Sequence, residues 1–172
     1  MAHKRKLGMK VPPLSTATIE AAARNCRTSF RITKPYINVC KLLDALQELS
    51  LLVYEVVEDH ELGDEDARTY PNNKRILIKN SVYEAAADGN GRARFTIAHE
   101  LGHLDLHKGV QPGFSRGTHK VFEDSEWQAD TFASEFLMNT DFIYSTDSAE
   151  DLVERFGVSY TAACMKLKKH RK

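Results

Sequence analysis

The chain carries no net charge: Lys+Arg and Asp+Glu both number 24. A balanced total gives no electrostatic footprint for nucleic acid or an acidic membrane. Cysteine is scarce. Cys26, Cys40 and Cys164 are odd in number and widely spaced, and no CxxC pair occurs, so neither a disulfide framework nor a cysteine zinc site is indicated. No apolar run approaches the ~20 residues that span a bilayer. The basic opening MAHKRKLGMK has no apolar run behind it of the kind a signal peptide needs. These absences lead us to expect a protein of the reducing cytoplasm with no membrane partner. What is present is an ordinary globular balance over 172 residues, 42% hydrophobic and 28% charged. Such a chain buries a core without a structural metal, so any metal it holds is expected to serve chemistry.

The order of local signals is helices, a small meander of strands, then helices, which is the α+β class. Residues 1–13 read as a flexible basic tail ending in Pro12-Pro13. Residues 14–140 read as the main domain, and 141–172 as a C-terminal helical extension packed on it. A helix is expected from Ser15. Pro35 is placed to open a second over YINVCKLLDALQEL, with Thr33 or Lys34 before it. LLVYEVVE (51–58) is β-branched and aromatic and reads as a strand. The acidic run 59–66 reads as a loop, and two short extended pieces flank Pro71-Asn72-Asn73. Ser81 with Glu84 three residues on resembles a capping box. A glycine-bearing loop over 108–120 separates two further helices. The C-terminal pair is expected to stop at Gly157 and restart at Ser159. RKLGMK and KLKKHRK place basic residues at both ends, which read as solvated tails.

The chemistry concentrates in FTIAHELGHLDLHKG, which contains His99, Glu100 and His103 as HExxH. Residues four apart share one face of a helix, so two imidazoles can grip one Zn²⁺. The glutamate between them reaches a water on the metal rather than the metal. Advancing about 100° per residue from Phe95 places Thr96, His99, Glu100, His103 and His107 between about 40° and 140°. The remainder of the wheel is apolar apart from Asp105. A helix apolar nearly all round is a buried one, and its one polar stripe consists of metal-capable groups. His107 on that stripe fits a partner to a ligand, a proton carrier or a C-terminal cap.

A catalytic zinc usually takes three protein ligands and leaves one position for water. The acid-rich helix after the loop is the natural source of the third. Taking Glu126 as zero, Phe122, Ala129, Phe132, Ala133, Phe136 and Leu137 gather on one face. Glu126 lies within it, Asp130 at its edge, and Asp124 and Glu135 point away. A carboxylate on a buried face needs a partner, which is either a metal or an arginine or lysine elsewhere. Asp130, one turn on, is placed to accept from the outer N–H of a ligating imidazole.

With these residues in place, the chain resembles a known family. HExxH followed by ExxAD is similar to zincins whose third ligand is a glutamate. RFTIAHELGHLDLH, EWQADTFASEFLM and FGVSYTAACMKL, in that order, resemble the ImmA/IrrE family of metallopeptidases over roughly residues 50–168. The resemblance implies a zincin-like domain with a small antiparallel or mixed sheet. It implies His99, His103 and Glu126 as zinc ligands and Glu100 as acid/base. It further implies site-specific cleavage of a helix-turn-helix (XRE-type) repressor, freeing genes of mobile elements or stress responses. Asn139 stands where the family often has proline, and Asp130 where asparagine is commoner.

The substrate is expected to lie extended along RILIK and add to the sheet edge, making Ile76, Leu77 and Ile78 substrate-binding. Lys74 and Lys79 suit an exposed edge, though an apolar strand of this kind also fits the sheet interior. A second class of reading is a protein that keeps the fold and metal but acts by binding a repressor or toxin without hydrolysis. A third is a DNA-binding module built on the C-terminal helices and basic tails. The neutral total and the match of that segment to the family's last block stand against direct nucleic-acid binding.

Overall fold

The computed structural model describes residues 7–111 and 119–171. Seven α-helices and three strands are found among them. The order is α1 (Thr16–Ser29), α2 (Val39–Glu48), β1 (Val53–Val57), β2 (Ala67–Tyr70), β3 (Arg75–Lys79), α3 (Asn80–Ala87), α4 (Gly91–Leu106), α5 (Ser125–Leu137), α6 (Ala149–Phe156) and α7 (Tyr160–His170). This is the α+β architecture expected. The first six residues of the basic tail, residues 112–118 of the expected loop and Lys172 lie outside the described residues.

Local chemistry sets most helix ends. Ser15, Asn38, Asn90, Asp124, Ser148 and Ser159 each accept a backbone N–H from the first turn of the helix they precede, which satisfies donors that have no partner within the helix. Gly157 closes α6 with φ 63°, a left-handed conformation that glycine adopts without steric cost.

Two expected starts shift. α2 begins at Val39 rather than beside Pro35. The Ile37 carbonyl accepts from the Arg94 guanidinium at 2.7 Å, and that guanidinium covers the Tyr36 ring, so this segment serves α4 instead of a helical turn. α3 begins at Asn80, because the Ser81 N–H is taken by Asp59 Oδ1 at 3.0 Å. Ser81 is therefore not its cap.

The sheet has the order β1-β3-β2, with β1 parallel and β2 antiparallel to β3. RILIK is thus the central strand. Both its edges are paired, Ile76 and Ile78 are fully buried, and Lys79 Nζ is bonded to the Gly63 carbonyl at 2.6 Å. A peptide cannot add to it, and Ile76, Leu77 and Ile78 are corrected from substrate-binding to sheet-interior positions. The free edge bordering α4 belongs to β2.

The core runs from Ile19 and Leu43 through Ile76, Ile97 and Phe132 to Leu152, Phe156 and Leu167 in one cluster. The C-terminal pair α6 and α7 therefore contributes to the same core as the sheet. Two buried arginines were not anticipated. Arg94 donates to the Phe156, Gly157 and Ile37 carbonyls, and Arg27 to the Phe136 carbonyl. Buried guanidinium groups need several such acceptors.

The expected flexible tail also differs. Residues 8–14 form an extended strap across the start of α5. Gly8 N–H donates to Asp124 Oδ2 and Met9 N–H to Ser125 Oγ. Val11 N–H donates to the Glu123 carbonyl and Leu14 N–H to that of Phe122. Val11 is buried. These bonds satisfy backbone and cap groups that a free tail would leave to water.

Candidate active site

α4 and α5 pack closely where the candidate ligands lie. A Cβ on Gly102 would stand 3.1 Å from Phe132 Cδ1 and 3.2 Å from Ala129 Cα. Glycine between the two histidines lets α5 approach that near. Glu126, in the first turn of α5, then reaches the imidazole stripe of α4.

The candidate ligand atoms converge. His99 Nε2 and His103 Nε2 are 3.0 Å apart. One Glu126 oxygen is 3.4 Å from His99 Nε2 and the other 3.3 Å from His103 Nε2. Tetrahedral ligands at zinc bond lengths of ~2.0–2.1 Å stand about 3.3 Å from one another, so these separations suit a small divalent ion. Two imidazoles and one carboxylate also form a donor set used by catalytic zinc.

Electrostatics point the same way. Burial alone would lower the His99 imidazole, but the Asp130 and Glu126 carboxylates outweigh it and raise it to about 10. Burial would raise Glu126, but His103 and His99 outweigh it and hold its carboxyl far below the usual range. The space between these groups favours positive charge.

The groups around the ligands are placed as follows. His99 Nδ1 is 2.8 Å from Asp130 Oδ1, the outer partner expected of a ligating imidazole. His107 is the C-cap of α4 and is buried. Its Nδ1 lies 2.9 Å from His103 Nδ1, and its Nε2 3.0 Å from Gln128 Oε1. Burial, with His103 and His99 nearby, lowers it to about 4. Glu100 is buried beside the cluster, and the Thr69 hydroxyl of β2 lies 2.6 Å from its Oε2.

Apart from the fully buried Gln128, these groups line a groove of about 1040 Å³. β2 residues Ala67, Arg68 and Thr69 form one wall, and the strap residues Gly8 and Met9 contribute to another. Thus His99, Glu100, His103, Glu126, Asp130 and His107 come together, and Ile76, Leu77 and Ile78 do not join them.

A peptidase family model, described as the IrrE N-terminal-like domain, matches residues 53–168. The chain belongs to this IrrE N-terminal-like peptidase family. No curated protein and no solved structure matches it. The family carries a metallopeptidase-type function with protein as its substrate class. The matched span of this IrrE-like chain opens at β1 and ends within α7, so the strap, α1 and α2 precede it. No helix among the described residues is long and apolar enough to cross a membrane.

Sequence reasoning missed Thr69, Gln128 and the strap. Gln128 had a readable signal, since it sits among Ala129 and Phe132 on a covered helix. Thr69 had none, because its role depends on how β2 lies across α4.

Proposed function

We propose that the protein is a zinc-dependent endopeptidase whose substrate is a helix-turn-helix repressor. The observation that carries this reading is the convergence of His99 Nε2, His103 Nε2 and Glu126 at separations of 3.0, 3.4 and 3.3 Å beside Glu100. His99, His103 and Glu126 would hold the ion. Bound zinc supplies Lewis acidity, acidifying a water and polarising the scissile carbonyl. Glu100 takes a proton from the attacking water as the new C–O bond forms, and returns it to the amine as the C–N bond breaks.

The substrate strand adds to the free edge of β2, the edge that borders the groove. Main-chain pairing of that kind holds the middle of a peptide and needs no chain terminus, which favours endopeptidase action. The repressor as substrate is supported by the resemblance of the three sequence blocks. In this reading α6 and α7 are structural, because their apolar faces are spent on the core.

The test is metal content together with repressor cleavage in wild type and Glu100→Gln. Both should bind one zinc, and only the wild type should cut. A protein that purifies without metal and takes up none sinks the proposal. A Glu100→Gln variant with full biological activity establishes the non-hydrolytic binding role instead.

A further inference from the structure

Gln128 is fully buried on α5. Its amide nitrogen donates to the Pro12 and Phe122 carbonyls, each at 2.9 Å, and its Oε1 lies 3.0 Å from His107 Nε2. Carbonyl oxygens only accept, so the carboxamide must face them with its nitrogen and His107 with its oxygen. His107 Nε2 therefore carries the hydrogen in that bond. Neither ring nitrogen of His107 meets a carboxylate, and the ring is buried, which favours the neutral imidazole. A neutral ring protonated on Nε2 has a bare Nδ1. That atom is 2.9 Å from His103 Nδ1, and only His103 is left to donate. His103 then has its hydrogen on Nδ1 and a bare lone pair on Nε2, the atom that faces His99 and Glu126.

We propose that Gln128 and His107 form a tautomer relay that commits His103 Nε2 to binding a divalent cation. The proposal rests on the metal-site reading above and adds two positioning residues to it. The two histidine ligands are held differently: His99 by a carboxylate, His103 by a neutral imidazole locked by an amide. The relay begins at the Pro12 carbonyl, in the strap that precedes the family's matched span. The N-terminal segment thus reaches His103 through one carbonyl and two side chains, a route separate from the packing of Gly8 against Glu126.

The experiment reads imidazole tautomers by ¹⁵N-edited NMR on the wild-type chain, metal-free and zinc-loaded. In both forms His107 should be protonated on Nε2 and bare on Nδ1, and His103 protonated on Nδ1. A hydrogen on His107 Nδ1 overturns the relay, and needs no variant to be seen. If zinc fails to bind at all, the peptidase reading falls, while the metal-free spectrum still decides the relay.

Variants supply the energetic arm. Gln128→Met and His107→Phe should each lose about 10- to 100-fold in zinc affinity by chelator competition, with the metal-free fold intact by circular dichroism. His107→Asn, whose amide oxygen stands near the position of Nδ1 and can accept from His103, should recover part of that loss. A filler such as phenylalanine that binds zinc as well as asparagine does would show that His107 serves packing alone.

Discussion

The Thr69 hydroxyl on β2 lies 2.6 Å from Glu100 Oε2 and 3.2 Å from the Glu100 backbone carbonyl. One hydroxyl hydrogen cannot serve both acceptors fully, and the shorter contact marks the carboxylate as its main partner. The strand proposed to seat the substrate therefore also holds the proposed base, Glu100. Thr69→Val, of similar size but without the hydroxyl, should lower kcat by about tenfold through a misdirected base, with zinc content unchanged. Thr69→Ser should restore the rate. An unchanged kcat in the valine variant removes Thr69 from the mechanism.

How much of this was legible beforehand differs by residue. The HExxH stripe follows from the helical period alone, and Glu126 stood out as an acid on an apolar face. The same wheel turned Asp124 and Glu135 outward, and both are buried. A wheel assumes one broad face in water, whereas α5 is covered by α4, α1, the strap and α7, which leaves only a narrow strip around Asp130 exposed. β3 was misplaced for a related reason. Apolar strands look alike at an edge and in the interior, and the choice depends on pairing with β1, some twenty residues earlier in the chain. Arg94 gave no local sign, because its partners are the carbonyls of Ile37 and of the end of α6, both distant in the chain.

The carboxylate of Asp130 is more than half exposed, yet it holds His99 Nδ1 at 2.8 Å. An exposed ion pair contributes little to folding, so its effect should appear in the metal rather than in stability. Asp130→Ala should weaken zinc binding by roughly 10- to 100-fold, and Asp130→Asn by less, since an amide oxygen still accepts from the imidazole. Chelator competition reads both. Wild-type affinity in the alanine variant would show that His99 is oriented by packing alone.

The strap meets the ligand helix with no room to spare. A Cβ on Gly8 would lie 2.3 Å from Ser125 Oγ, 2.7 Å from Glu126 Cγ and 2.8 Å from Glu126 N. Backbone lies among these atoms, so rotamer changes alone cannot make space. Gly8→Val should push the strap off α5, exposing bonds such as cleavage after Lys10 to trypsin, and should weaken zinc binding by displacing Glu126. A variant with wild-type tryptic resistance and zinc affinity would mean that the strap can slide without disturbing the site.

Glu135 and Lys166 join α5 to α7 in the core. The Glu135 side chain is 1% exposed and that of Lys166 6%. Thr140 Oγ1 also donates to Glu135 at 2.8 Å, and the half-buried Arg24 lies at 3.1 Å. Breaking a buried pair from one side leaves a charge without full compensation, which typically costs ~3–5 kcal/mol. Because Arg24 and Thr140 stay, Lys166→Met should fall at the lower end, about 3 kcal/mol by urea denaturation. Adding Glu135→Leu removes the stranded carboxylate and should recover most of that loss, even though the contacts from Arg24, the Thr140 hydroxyl and the Thr140 N–H have gone. Should the double variant be the less stable of the two, the ion pair itself, rather than the avoidance of a lone buried charge, holds α7 against the domain.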